Sequence, residues 1–235
     1  MSLDKKNIKE KVLIIVAHPD DEGLGCGGYL SKFISNKKFR VIFVGEGTTC
    51  RFKKNDYSKN VTEEIKSREN CAINSLETLG VKDYHFYDLP CGRFDSIDIL
   101  DINKLIENEI SIFKPNKIIT HNSDDCNNDH RIVSRSVSMA TRPSPNNKFL
   151  KTIMSFEILS STEWNFEKNF QPNYFVEINK VNLQKKIKSV YCYKSEIQKG
   201  NMPRNADGIT TLAKYRGKMI NKKFAEAFHI IRDIV

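Results

Sequence analysis

The segment VLIIVAHPDDE, residues 12–22, carries the strongest indication of the fold. Its first six residues are all apolar, which is typical of a strand buried on both faces in a parallel sheet. The apolar run ends at His18, and the acids Asp20, Asp21 and Glu22 follow within four residues. Because ligands bind beyond the carboxyl ends of strands in open α/β sheets, we expect a functional site here.

Outward from this segment, apolar strand-length runs alternate with helical patterns. The sequence predicts further strands over 39–44, 84–87, 117–120, 152–158 and 174–178, and helices over 25–36, 61–79, 101–113, 130–141, 181–194 and 224–234. This alternation predicts the α/β class, a Rossmann-like, doubly wound, mainly parallel sheet with helices on both faces. A chain of 235 residues suits one domain over 1–235, with a core at about 10–142 and a C-terminal part, 143–235, that completes the sheet and the substrate pocket.

A glycine pattern after the first strand resembles a dinucleotide-binding loop. Gly23, Gly25 and Gly28 fit G-x-G-x-x-G, and Glu46 follows the next strand. The five residues between strand and glycines include three carboxylates, however, and these would repel a pyrophosphate. We therefore reject a nicotinamide site and expect the glycines to allow close packing of helix on sheet.

Charge and cysteine content indicate which partners and ligands to expect. Lys plus Arg is 38 and Asp plus Glu is 29, a formal net charge of +9. The lysines are scattered along the chain, so we expect a solvated surface and no nucleic-acid partner, with an anionic substrate or partner as the alternative. The six cysteines form no CxxC pair, which predicts reduced, mostly buried thiols and gives no support for cysteine metal ligands.

Targeting signals are not evident in the sequence. No apolar run approaches the roughly 20 residues of a membrane span, so we expect none. The short apolar run near the N-terminus leads to HPDD and not to a small-residue cleavage site, which favours a soluble, cytoplasmic protein.

A second polar segment, HNSDDCNNDHRIV at 121–133, follows the predicted strand 117–120. Three of the five histidines of the chain lie in these two segments. We predict a divalent metal held by His18, Asp21 and His130, with one open position for water. Asp20 is then free to take a proton from that water. The alternative, acids that merely stabilise a helix N-terminus, leaves the second segment unexplained.

The two segments together resemble the PIG-L/LmbE family of metal-dependent de-N-acetylases. AHPDDE at 17–22 matches the first motif of that family, and the stretch that ends in DH at 129–130 matches the second. Further similarity includes SSTEW at 160–164, QPNYFVEI at 171–178, YKSE at 193–196 and PRN at 203–205, so the resemblance covers about residues 10–232.

The resemblance implies a role for each matched residue. His18, Asp21 and His130 would bind zinc, although this ligand set also suits Fe²⁺. The implied catalytic residues are Asp20 as general base, Asp129 as a carboxylate that orients a catalytic or metal-bound group, and Asn127 as oxyanion donor. Some members of the family have a histidine where this chain has Asn127, which is a departure, since an amide donates a hydrogen bond but carries no charge.

Four further residues are candidates for substrate binding. His121 could share the oxyanion role, and its alternative is a structural place at the strand end. Arg51, Arg68 and Arg204 suit a sugar hydroxyl or a phosphate, with intramolecular ion pairs as the alternative. Trp164 could stack on a sugar face or lie buried under its loop.

The predicted activity is removal of an N-acetyl group from an amino sugar by metal-activated water. The substrate could be nucleotide- or lipid-linked, and a functional role for the positive charge would favour a phosphorylated or nucleotide-linked sugar. The alternatives are deacylation of an N-formyl or non-sugar amide and, from another class, a non-catalytic metal- or nucleotide-binding module. The family resemblance also implies assembly into homo-oligomers.

Overall fold

The computed structural model describes residues 10–54, 56 and 58–235, which form a single α/β domain. A seven-stranded sheet has the order β3-β2-β1-β4-β5-β7-β6. The strands are β1 (Lys11–Val16), β2 (Lys38–Gly45), β3 (Tyr84–Leu89), β4 (Lys117–His121), β5 (Thr152–Phe156), β6 (Tyr174–Glu177) and β7 (Ala225–Asp233). The helices are α1 (Asp21–Phe33), α2 (Lys59–Leu79), α3 (Ile99–Phe113), α4 (Asn128–Ala140), α5 (Lys180–Val190) and α6 (Ala206–Lys218).

The predicted mainly parallel sheet is confirmed. β1 pairs in parallel with β2 on one side and β4 on the other, and β4 pairs in parallel with β5. The carboxyl ends of β1 and β4 therefore meet at one edge of the sheet, with the two polar segments directly beyond them. None of the helices in the described part of the chain is long and apolar enough to cross a bilayer.

Helices cover both faces of the sheet, as predicted. On one face, Val12, Ile14 and Val16 of β1 belong to an apolar core that includes side chains of α1, α2, α5 and α6. On the other face, Leu13 and Ile15 belong to a second core with side chains of α3 and α4. The continuous apolar run of β1 is thus the consequence of burial on both sides.

The predicted terminal helix over 224–234 is wrong. This stretch is strand β7, which pairs antiparallel with both β5 and β6. Its apolar residues include Phe224, Phe228 and Ile231, whose spacing fits a helical face, and short apolar runs do not distinguish a helix from a strand. The stretch lies between β5 and β6 in the sheet. It is extended because the backbone N–H and C=O groups of both neighbouring strands need hydrogen-bond partners there. Helix α6 was not predicted from the sequence.

Close packing explains the glycine pattern. A Cβ at Gly25 would lie 2.5 Å from the ring of Phe156, so helix and sheet could not approach as they do. Helix α1 is also kinked, with φ −145° at Cys26. The kink exposes main-chain groups that side chains from α5 and β7 satisfy: Lys186 donates to the Leu24 carbonyl, and Glu226 accepts the amides of Gly28 and Tyr29. Glu226 therefore has a structural role in this helix.

Candidate metal centre

Two histidines and one aspartate converge beyond the ends of β1 and β4. His18 follows β1, Asp21 opens α1, and His130 lies in the first turn of α4. One donor atom from each lies within 4.8 Å of the other two, and all three residues are buried. The parallel pairing of β1 with β4 brings His130 to His18 and Asp21, although more than 100 residues of sequence separate it from them. Their number and chemistry fit a three-ligand centre with an open position.

The Asp21 carboxylate is the centre of this group. Its Oδ2 lies 3.7 Å from His18 Nδ1, 3.5 Å from His121 Nε2 and 3.4 Å from His130 Nε2. Burial opposes the charge, but the surrounding imidazoles hold the pKa of Asp21 well below its usual range. Burial also disfavours charge on His130, yet Asp21 and Asp125 raise its pKa to about 10. This environment favours positive charge between the carboxylates, as a bound divalent cation would provide.

Each candidate ligand histidine contacts a second carboxylate. His18 Nε2 lies 2.8 Å from Asp129 Oδ2, and Asp129 also accepts the amides of Gly92 and Phe94. His130 Nδ1 lies 3.2 Å from Asp125 Oδ1. Such carboxylate–histidine contacts fix the ring orientation and tautomer of metal-binding histidines.

Asp125 was not assigned a role from the sequence. It accepts hydrogen bonds from Ser161, from Thr162 at 2.5 Å and from the Asn127 amide. Burial would raise the pKa of Asp125, but His130 and the two hydroxyls lower it to about 2. The signal that could have found it is its place five residues before His130, on the loop that leads into α4. Sequence alone could not show that this loop turns the carboxylate back to the ring.

His121 lies behind the metal centre. It is fully buried, and its Nε2 accepts the Ala17 amide at 2.8 Å. Burial, reinforced by His130, lowers the pKa of His121 to about 3, so the ring is neutral. Its ring stacks on His130 at 4.0 Å between centroids. The geometry agrees with the structural alternative for this residue.

Asp20 lies between two guanidinium groups. Its Oδ2 is 3.1 Å from Arg68 and 2.9 Å from Arg204. Burial raises the pKa of Asp20, and the two arginines act in the opposite direction. The residue has φ 115°, a conformation that side-chain-bearing residues rarely adopt, and its amide donates to Glu22. The chain thus holds this carboxylate in a strained position next to the candidate ligand Asp21.

The three predicted substrate-binding arginines share a carboxylate that sequence reasoning missed. Glu196 lies 2.5 Å from Arg51, 2.7 Å from Arg68 and 3.4 Å from Arg204. Arg68 is buried, whereas the side chain of Arg51 is 46% exposed. With Asp20, two carboxylates face three guanidiniums, which leaves one formal positive charge at the rim of the site. In the structure, these arginines therefore form intramolecular ion pairs, which is the alternative to substrate binding stated above.

Asn127 and Trp164 occupy the loops beside the centre. Asn127 is the N-cap of α4, and its Oδ1 accepts the Asp129 amide at 2.9 Å. No residue in the described part of the chain accepts from its Nδ2, the atom an oxyanion donor would use. Trp164 ends a short 3₁₀ helix, Thr162–Trp164, and is 46% exposed, so it is not buried under its loop.

Fold and geometry define an α/β protein with a buried two-histidine, one-aspartate centre and an adjacent carboxylate. The chain belongs to the PIG-L family, described as GlcNAc-PI de-N-acetylase, whose profile matches residues 13–141. The expected family membership is confirmed.

The chain is also similar to individual proteins. Diacetylchitobiose deacetylase of Thermococcus kodakarensis is 27% identical, over 97% of this chain and 85% of that protein. The structure resembles N,N'-diacetylchitobiose deacetylase from Pyrococcus horikoshii at a TM-score of 0.75 and 19% identity, over 98% and 88% of the two chains. It also resembles 4-carboxy-2-hydroxymuconate hydratase from Pseudomonas putida at a TM-score of 0.74 and 18% identity, over 96% and 98%. The fold alone therefore does not determine the reaction.

Proposed function

We propose that this protein hydrolyses the N-acetyl group of an amino sugar with the help of a divalent metal. The observation that carries the proposal is the convergence of His18, Asp21 and His130 within 4.8 Å beside the separate buried carboxylate of Asp20. A site that only binds metal has no use for an additional carboxylate held in a strained backbone conformation. Membership of the de-N-acetylase family supports the same reaction.

The metal would be held by His18, Asp21 and His130. When bound, a divalent cation supplies a Lewis acid that polarises the acyl oxygen and acidifies water. We propose zinc, because two imidazoles and one carboxylate with an open position are typical of catalytic zinc. Fe²⁺ fits the same ligands and is the alternative.

Asp20 is the proposed general base. Hydrolysis of an amide needs removal of a proton from the attacking water and delivery of a proton to the leaving nitrogen. Asp20 can do both in turn, because Arg68 and Arg204 fix one of its oxygens and keep it oriented. Asp129 would act through His18, whose ring it orients.

Charge that develops on the acyl oxygen needs a donor as well as the metal. The Nδ2 of Asn127 is the proposed donor, since the helix cap uses only its Oδ1. Arg51 lies at the exposed end of the arginine cluster and is the proposed contact for substrate hydroxyls or a phosphate. Arg68 and Arg204 would act mainly by orienting Asp20.

The proposed substrate is a short N-acetylglucosamine oligosaccharide, since the sequence relative is a diacetylchitobiose deacetylase. The test measures acetate release from N,N'-diacetylchitobiose, N-acetylglucosamine and UDP-N-acetylglucosamine. Each substrate is offered to metal-depleted protein and to protein reloaded with Zn²⁺ or, anaerobically, with Fe²⁺. We expect acetate only from reloaded protein and most rapidly from the disaccharide.

Other outcomes separate the alternatives. Formate release from N-formyl sugars without acetate release would favour a deformylase. Release from non-sugar N-acetyl amides alone would remove the sugar specificity. Stoichiometric metal binding with no acyl release from any compound would contradict a hydrolase and favour a binding module.

A further inference from the structure

A second group of possible metal ligands lies on the far side of His18 from Asp21. One donor atom each of His18, Cys91 and Asp129 lies within 4.8 Å of the other two, and all three residues are buried. His18 faces Asp21 with Nδ1 and Asp129 with Nε2, so the two groups use opposite nitrogens of one ring.

Cys50 lies beside this group, outside the set of donor atoms that all lie within 4.8 Å of one another. Its thiol lies within hydrogen-bonding reach of the Cys91 thiol, and both cysteines are free. The two residues are far apart in sequence, and no spacing rule connects them. The contact depends on Gly92, because a Cβ there would lie 2.9 Å from Cys50 Cβ.

The main chain around both thiols is firmly held. The Glu46 carboxylate accepts the amides of Thr49 and of Cys91, which joins the two loops. Arg93 donates from the second loop to the carbonyls of Thr49 and Phe52 in the first. These bonds fix the two loops relative to each other. Little conformational freedom would therefore be lost when both thiols bind one metal ion.

From this geometry we infer that Cys91, Asp129 and His18 Nε2, completed by the neighbouring thiol of Cys50, form a second, thiolate-rich site that binds Zn²⁺ or another thiophilic divalent cation. Two sulfurs, one nitrogen and one oxygen are a suitable tetrahedral set for zinc, with Zn–S near about 2.3 Å and Zn–N near about 2.0 Å. On binding, the two thiol protons and the proton between His18 and Asp129 pass to the solvent. Cys50 is exposed, so the cation can enter from that side.

Occupancy of this site inhibits the proposed deacetylase, an extension that rests on the proposed function. A cation at Nε2 replaces the proton through which Asp129 orients His18. Loss of such an orienting contact at a metal site lowers affinity or activity about 10–100-fold. Zinc would therefore activate through the first site and inhibit through the second.

The test uses the full chain, anaerobic and with its thiols reduced, titrated with Co²⁺ and Zn²⁺. We expect two Zn²⁺ per chain at saturation, and a thiolate-to-Co²⁺ charge-transfer absorption that grows as the second equivalent binds. Cys50→Ser should lose the absorption and bind one Zn²⁺. Cys192→Ser, a change to a partly exposed cysteine elsewhere, should behave as wild type. Because Cys50 is exposed, this variant should fold even if Cys91→Ser does not.

The second measurement is the rate of acetate release. Excess Zn²⁺ should reduce acetate release about 10–100-fold in the wild type and leave Cys50→Ser unaffected. A single Zn²⁺ per wild-type chain without thiolate absorption would overturn the site. The same absorption in Cys50→Ser would also overturn it. These spectroscopic results stand even if no acetate is released, which would count against the proposed function alone.

Discussion

Two clusters of buried charge lie at different points along helix α1 and differ in how completely their hydrogen-bonding groups are satisfied. At the kink of the helix, Lys186 and Glu226 are both 5% exposed and pair at 2.6 Å. Their remaining bonds go to main-chain groups that the kink leaves unpaired. At the N-terminus of the same helix, Asp20 and Asp21 meet arginines and histidines instead.

The second cluster retains unused polar capacity. His121 Nδ1 and Arg68 Nε are buried without a hydrogen-bond partner in the described part of the chain. Asp20 has a strained backbone, whereas Lys186 and Glu226 lie in regular helix and strand. Buried polar groups are normally satisfied, so the unpaired atoms beside Asp20 and Asp21 leave capacity that a metal ion or a substrate could use. A structural ion pair and a chemical centre thus differ in how completely their polar groups are bonded.

The largest effect is expected for Asp20→Asn. Asparagine tolerates positive φ, so the backbone should persist while the base is lost. We expect kcat to fall about 10²–10⁴-fold with bound metal unchanged, measured by acetate release and metal analysis. A thermal melt controls for the effect on Arg68 and Arg204. Near-normal turnover would exclude Asp20 as the base.

Lys186→Met should act on stability instead of chemistry. Removal of one partner of a buried pair costs about 3–5 kcal/mol, because the other charge stays buried and unpaired. Urea unfolding measures this loss, and kcat/KM per folded molecule should be unchanged. The double variant Lys186→Met/Glu226→Gln, which keeps an acceptor for the Gly28 amide, should recover part of the stability. A loss below about 1 kcal/mol in the single variant would contradict the structural role.

Asp125→Asn should weaken metal binding by about 10–100-fold, since the carboxylate orients His130. Competition with a chromophoric chelator measures this affinity. Asp124→Asn is the matched control, because Asp124 precedes it directly but pairs with the exposed Lys168. Equal effects of the two substitutions would show that loss of negative charge, and not contact with His130, weakens binding.

The smallest effect is expected for Arg51→Gln. Its side chain is nearly half exposed, and exposed ion pairs contribute about 0–1 kcal/mol. The free energy of unfolding should therefore change by less than about 1 kcal/mol, whereas Arg68→Gln, at a buried position between Asp20 and Glu196, should cost several times more. Urea unfolding compares the two. A rise in KM without a change in kcat would support contact of Arg51 with substrate.

Sequence patterns predicted the parallel part of the sheet better than the rest. β1, β2 and β4 are buried on both faces, so their apolar runs are unambiguous. β7 was predicted as a helix because its apolar residues match both periods, and only pairing with β5 and β6 decides between them. The local sequence pattern does not show which distant strands pair with each other. This limits how well it can distinguish a strand from a helix.

The candidate site shows the same division. His18 and Asp21 adjoin β1, and His130 follows β4, so strand order and motif suffice to propose them together. Asp125 and Glu196 could not be chosen among the other acids, because their partners depend on how loops turn back over the sheet edge. The proximity of Cys50 to Cys91 likewise depends on two loops joined through Glu46.

The sequence by itself determined the parallel core, the family and the candidate metal ligands, since these depend on short-range pattern and on the edge where parallel strands end. Only the tertiary structure decided which charges pair. Asp20 meets two arginines, and Glu226 meets Lys186, at separations that range from 40 to 184 residues along the chain. The physical reason is that buried charges are stabilised by partners in space, and the folded chain alone brings those partners within bonding distance.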